Sequence, residues 1–420
     1  MEQATQLSTS SEHKSNNDDS AVLLREPTLC ENDLSEQAKK QFNIYSEIRR
    51  KYQSNIRNIL GDNRLSPIGR HLFCVITDQS HKNCINVLNY VAAHPEVKTT
   101  AQCIRPPLVI CGLPRSGTTL LYSLLACDPA CRAPLFTDMF EPVPPLARSD
   151  TAGQMQRNTI AAEYSKMLNA LGLADYEKEV NASHPFLAHA EDQFILAQAA
   201  YNWLHYLLLP GKNNELVEWY LNDANKDFAY EYHNIFLQML NSVDAPQSHW
   251  LLKTPLHVIT LNTLVRQYPT ASLIMTHRKL DDVLPSCVRM AHAFTSAYFD
   301  NNRADITSNR NGVMELMLHA IDVCIRHMVE FRRTNSHTPI IDILYDDLIA
   351  QPIETVRRMY KQLGLTWSED FELAMNAWLR ENPQGKQGRH GYSLEQYGLN
   401  REIIEKRYED YNNMFLITQS

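Results

Sequence analysis

Residues Pro107-Leu108-Val109-Ile110-Cys111-Gly112-Leu113-Pro114-Arg115-Ser116-Gly117-Thr118-Thr119 decide how the rest of the chain is read. A short unbroken apolar run closed by glycine predicts a buried strand, and the apolar stretch from Thr118 to Cys127 predicts the helix that follows. Strand, glycine loop and helix in immediate succession aim several backbone N–H groups and the positive end of a helix dipole at one point. That arrangement suits a phosphate. Gly112 and Gly117 have the separation of a Walker A loop, but Thr118 stands where that motif requires lysine. A nucleoside triphosphate would lose the cation that reaches its β- and γ-phosphates, whereas Arg115, inside the loop, supplies positive charge of its own.

Outward from the loop the pattern alternates. Strand character returns at Trp250-Leu251-Leu252, at Ala271-Ser272-Leu273-Ile274-Met275 and from Ile340 to Leu344. Helical spacing covers Val258 to Tyr268, Asp282 to Ala297, Val313 to Arg332, Ile353 to Leu363 and Asp370 to Leu379. This alternation predicts an α/β fold, a P-loop-like three-layer α/β/α arrangement around a mostly parallel central sheet. Residues 1–20 are too polar to repay the entropy of ordering and read as a disordered tail. Residues 21–103 read as a helical lead-in, with Phe42, Ile44, Tyr45, Ile48 and Tyr52 recurring at helical spacing. The main domain spans 104–412, with a helical insertion at about 150–245 that covers the sheet as a cap.

The 420 residues are 44% hydrophobic and 21% charged, which excludes a disordered or low-complexity protein. Forty Lys plus Arg against 48 Asp plus Glu leave a net charge of −8, so the whole-molecule field repels polyanions and nucleic acid is excluded as the main partner. Nine cysteines with no C-x-x-C pair read as free thiols in a reducing compartment. A polar, acidic N-terminus and the lack of any long apolar run predict a cytoplasmic protein without a transmembrane segment.

The segment from Leu113 to Thr119 resembles the 5′-phosphosulfate loop of the sulfotransferases that use 3′-phosphoadenosine 5′-phosphosulfate, whose cytosolic members have Lys in place of Arg115. A second block, Thr276-His277-Arg278-Lys279-Leu280-Asp281-Asp282-Val283-Leu284-Pro285-Ser286, is similar to the family's 3′-phosphate segment. A third, Leu251-Leu252-Lys253-Thr254-Pro255-Leu256-His257, departs from the cytosolic pattern: Pro255 stands where those enzymes place their catalytic histidine. The broader, mostly bacterial group, in which His follows Pro by two positions, is the nearer likeness. A fourth block, 382–390, resembles that group's C-terminal basic loop.

The resemblance implies transfer of a sulfuryl group from that donor to a hydroxyl or amine of an acceptor, by in-line displacement and without a metal. Ser116, Gly117, Thr118 and Thr119 are expected to cradle the 5′-phosphate, and Arg115 and Lys253 to neutralise the leaving oxygen. Arg278, Ser286 and Arg389 are expected to hold the 3′-phosphate. Two residues compete for the base: His257, whose imidazole accepts protons near neutrality, and Glu191, in His189-Ala190-Glu191-Asp192 at the start of an apolar helix. His184, Tyr201, Trp203 and Tyr206 are further candidates on the acceptor side. The acceptor, whether a small molecule, a lipid or a sugar, is not specified by the sequence, and a homo-oligomer is left open. Two other functions compete: a P-loop kinase for a small molecule, and a nucleotide-binding module without turnover.

Overall fold

A computed structural model of the chain describes residues 26–29, 33–97, 105–184, 187–299, 312–383 and 394–417. The expected tail at 1–20 and the basic loop with Arg389 lie outside the described residues. A short helix (Glu36–Gln41) and two longer ones, α1 (Ile44–Leu60) and α2 (Pro67–Ala93), precede strand β1 (Pro107–Gly112) and helix α3 (Thr118–Leu125). The insertion carries α4 (Thr151–Ala170), α5 (Ala174–Ser183) and α6 (Asp227–Asn241), with shorter helices between them. There follow β2 (Trp250–Lys253), α7 (Leu261–Gln267), β3 (Ser272–His277), α8 (Leu280–Thr295), α9 (Val313–Thr334) and β4 (Ile340–Leu344). Helices α10 (Pro352–Leu363) and α11 (Glu369–Glu381) cover the opposite face.

All four strands run parallel, in the order β2-β1-β3-β4. A parallel sheet is buried on both faces, and here successive side chains of each strand enter different cores. Leu108, Ile110, Leu251, Ile274, Ile341 and Ile343 pack against α3, α10 and α11. Val109, Cys111, Leu252, Leu273 and Met275 face the larger core built by α1, α2, α6, α8 and α9. The three-layer α/β reading therefore holds, and the N-terminal helices belong to the same core as the sheet. Local chemistry begins α2: Ser66 Oγ accepts from the Gly69 N–H at 2.9 Å, and Pro67 takes the first helical turn, where its missing N–H costs nothing. Among the described residues, no helix is long and apolar enough to cross a membrane.

The N-terminal helices also brace the insertion. Tyr52 Oη donates to the Ala197 carbonyl at 2.9 Å, and Asn55 Nδ2 to the Ala200 carbonyl at 3.1 Å. Both contacts fall just beyond the acidic segment at Glu191 and Asp192.

At the end of β1 the two central strands come unusually close. A Cβ built on Gly112 would lie 2.8 Å from the Thr276 carbonyl oxygen and 2.9 Å from its amide nitrogen, both backbone atoms that cannot swing away. Gly112→Ala should therefore destabilise the protein by about 1–3 kcal/mol, as overpacking typically does, read as a lower midpoint in urea unfolding. A midpoint equal to wild type would show that β1 and β3 can part at no cost.

Burial also leaves a pH signature. It holds the imidazoles of His81, His184 and His189 down to about 4 and that of His205 to about 3, against an ordinary value of 6.5. Between pH 6.5 and about 4 the unfolded chain therefore binds protons that the folded chain refuses, so stability should fall as the pH drops through that window. Urea midpoints at pH 7.5 and pH 5 test this; equal midpoints contradict it.

Candidate active site

The C-terminal ends of all four strands converge on one cavity of about 230 Å³. Ligands in open α/β sheets lie at this edge, where the chain reverses its direction of winding. β1 delivers the loop from Leu113 to Gly117, β2 ends at Lys253, β3 leads into Arg278, and β4 leads into Tyr345.

The loop is held from below. Ser116, fully buried, donates through Oγ to the Leu113 carbonyl at 2.5 Å or shares its proton with Thr276 Oγ1 at 2.6 Å. Gly117 caps α3 at φ +93°, a left-handed conformation that glycine adopts without strain, and a Cβ there would press to 3.0 Å from the Tyr345 ring. Arg115 also sits at positive φ, +67°, which in a non-glycine residue costs on the order of 1–3 kcal/mol and persists only where the surroundings impose it. Its guanidinium supplies the restraint: Nε donates to Ser286 Oγ at 3.0 Å and Nη1 to the Ser183 carbonyl at 2.8 Å. Arg278 donates through Nη1 to the Arg115 carbonyl at 3.1 Å and lies over the Tyr345 ring at 4.1 Å. Its buried Nε has no hydrogen-bond partner among the described residues.

Across the cavity, Lys253 forms an ion pair with Glu191 and donates through Nζ to Thr119 Oγ1 at 3.2 Å. His184 Nε2 lies 3.5 Å from Glu191 Oε1, and its ring meets Phe294 edge to face. Burial is the first cause of its lowered affinity for protons, Glu191 opposing it, so the imidazole is uncharged at neutral pH.

Arg115, Gly117, Thr118, Thr119, Lys253, Glu191, His184 and Arg278 all line this cavity. Ser116 lies beneath the loop, and Ser286 reaches the site through Arg115. His257 is different. It is fully buried, does not line the cavity, and has both ring nitrogens engaged: Nε2 donates to Asp192 Oδ2 at 2.9 Å, and Nδ1 meets the Tyr230 hydroxyl at 2.7 Å. A base needs a lone pair facing the substrate. His257 thus presents no free lone pair to the cavity, whereas Glu191 lines it.

Of the three aromatic candidates, Trp203 lines the cavity. Tyr201 and Tyr206 turn into the core, their hydroxyls donating to the carbonyls of Tyr220 at 3.1 Å and Leu316 at 2.6 Å. No sequence motif marks the rest of that wall. Leu256, Ile259, Met290, Phe294, Met317 and Ile321 add an apolar share to the lining. Four of them sit on α8 and α9, where an apolar stripe reads the same whether it meets a neighbouring helix or an open cavity.

Comparison with known proteins agrees with this architecture. A model of the sulfotransferase family matches residues 106–369. The omega-hydroxy-beta-dihydromenaquinone-9 sulfotransferase Stf3 of Mycobacterium bovis is 22% identical over 317 residues, which cover 72% of this chain and 73% of that protein. The protein of the same name from Mycobacterium tuberculosis matches over the same lengths at the same identity, 22%. Among solved structures, sulfotransferase STF9 from Mycobacterium avium superposes with a TM-score of 0.75 at 24% identity, over 88% of this chain and 91% of that one. Sulfotransferase STF1 from Mycobacterium tuberculosis gives 0.70 at 21% identity, over 93% and 96%. At such identities the structural likeness establishes the fold, and the family match, over more than half of the chain, establishes descent. The chain belongs to the sulfotransferase family, and it is a transferase of sulfuryl groups.

Proposed function

We propose that the protein transfers the sulfuryl group of 3′-phosphoadenosine 5′-phosphosulfate to the hydroxyl of an acceptor with a largely apolar body. The observation that carries this reading is the position of Lys253. Its ammonium joins Thr119 of the loop to Glu191, in a cavity whose lining combines Arg115 and Arg278 with Trp203, Phe294 and Ile321.

The residues fit a doubly anionic nucleotide. Backbone N–H groups at the start of α3 favour the 5′-phosphate, and the unpartnered Nε of Arg278 offers a donor for a second phosphate. When bound, the donor supplies the activated SO₃ group. Arg115 and Lys253 then offset the negative charge that grows on the leaving oxygen. Glu191 orients the acceptor hydroxyl and takes its proton, while the apolar wall excludes competing water.

The acceptor reading rests on that wall. Trp203, Met290, Phe294, Met317 and Ile321 present no charge to a bound molecule, so they favour a hydrophobic body over a sugar. The relative Stf3 is named for an acceptor of that chemical kind, a hydroxylated menaquinone. Extracts incubated with labelled donor should therefore yield labelled product in the organic phase. Label confined to water-soluble sugars would contradict the assignment.

Glu191→Gln should lower turnover by roughly 10²–10⁴-fold with little change in nucleotide affinity. Normal turnover would remove Glu191 from the reaction. Adenosine 3′,5′-bisphosphate without Mg²⁺ should raise the melting temperature, its stabilisation reaching about 2.7 kcal/mol at a hundred times Kd. Arg278→Ala should weaken that binding by about 1.5–3 kcal/mol. Stabilisation only by ATP with Mg²⁺ would point instead to a kinase, and tight bisphosphate binding with no sulfated product from any acceptor to a binding module.

A further inference from the structure

Beside Glu191 lies a carboxylate that never reaches the cavity. Asp192 is fully buried, in an environment where an unpaired charge is costly. Three N–H groups converge on it. Oδ2 accepts from His257 Nε2 and from His233 Nε2, each at 2.9 Å, and Oδ1 accepts from the backbone N–H of Lys253 at 3.1 Å.

Each imidazole is fixed in turn. His233 Nδ1 meets the Tyr268 hydroxyl at 2.6 Å. His257 Nδ1 meets the Tyr230 hydroxyl at 2.7 Å, and Tyr230 Oη lies 2.6 Å from Thr260 Oγ1. Burial acts to raise the Asp192 carboxyl, and the two histidines outweigh it, holding the group well below the usual carboxylate range. Three donors surround the carboxylate and it does not line the cavity, so it has no path for exchanging a proton with a substrate. What it does have is position. It is covalently next to Glu191 and hydrogen-bonded to the main chain of Lys253, so one buried carboxylate ties both members of the cavity's ion pair to the end of β2. On the other side of Glu191, the Ala190 carbonyl accepts from Tyr122 Oη at 3.1 Å and the Ala190 N–H donates to the Pro134 carbonyl at 3.2 Å. Glu191 is therefore held from both flanks.

We propose that Asp192 is the positioning residue of this site, and that His257 and His233 serve the reaction through it, by locking the carboxylate that sets Glu191 and Lys253 against each other. This rests on the reading of Glu191 as the base. The consequence for His257 is specific: its contribution is the N–H at Nε2, not a lone pair. An amide can replace such a donor, whereas no amide can replace a proton acceptor.

The test compares steady-state kinetics and pH–rate profiles of four variants with adenosine 3′,5′-bisphosphate affinity as the control. Asp192→Asn turns one oxygen into an NH₂ that faces N–H groups on whichever side it is placed. It should lower kcat by roughly 10²-fold, the cost of a misplaced reacting group, with bisphosphate affinity and donor KM nearly unchanged. Tyr230→Phe removes a single restraint on His257 and should lower kcat about five- to tenfold. His257→Ala should lose about tenfold or more. His257→Gln, whose amide N–H can stand near the place of Nε2–H, should regain most of that loss with the wild-type pH profile. Should Asp192→Asn fail to fold, the Tyr230 and His257 variants carry the test alone.

Wild-type kcat in both Asp192→Asn and Tyr230→Phe would overturn the proposal. So would an ionisation that vanishes from the pH profile of His257→Gln, since His257 would then be a proton acceptor. Glu191→Gln, run alongside, separates the two layers. If it slows transfer while the Asp192 and Tyr230 variants do not, the base reading survives and the positioning role falls; if it does not slow transfer, the base reading itself fails.

Discussion

The hydrogen-bond ladder between β1 and β3 is the constraint on which the site depends. Gly112 pairs with Thr276 at the last rung, so the phosphate loop and the segment beginning at Arg278 leave the sheet at the same height. Thr276 then does double service: its backbone fills the space a Gly112 side chain would need, and its hydroxyl holds Ser116. Arg278 reaches back to the Arg115 carbonyl, closing a short circuit between two motifs that are far apart in sequence. A slip of one residue in this register would carry the Arg278 segment away from the loop, and the cationic end of the cavity would lose its second arm.

Much of this was legible in the sequence because parallel strands buried on both faces leave an unmistakable trace. The runs from Pro107, Trp250, Ala271 and Ile340 all mark strands, with ends differing from the observed ones by a residue or two. The loop, Lys253 and Arg278 were readable too, since each sits where a strand ends and chemistry concentrates. The helix expected from Val258 begins instead as a tighter turn over Pro255–Val258, because proline fixes the first position and Thr254 caps it.

What sequence could not supply was direction. His257 follows a lysine at the right spacing for a base, yet the turn at Pro255–Val258 aims its ring inward, at Asp192. Nothing in the order of residues distinguishes an imidazole facing a cleft from one facing a core. The same holds for Tyr201 and Tyr206, whose hydroxyls find carbonyl partners inside the protein, and for Tyr345, whose place beneath Arg278 depends on β4 lying beside β3. Sheet order is a property of the whole chain, and a single stretch does not encode it.

The bracing of Ala197 and Ala200 by Tyr52 and Asn55 bears on how this enzyme can be dissected. The family match begins at residue 106, yet Ile48, Tyr52, Val87 and Leu88 are sealed inside the same close-packed interior as Val109 and Met275. Cutting the gene at the start of the match would expose that interior to water and leave the acidic segment without its outer scaffold. The shortest fragment worth expressing is therefore longer than the matched segment, and begins ahead of α1.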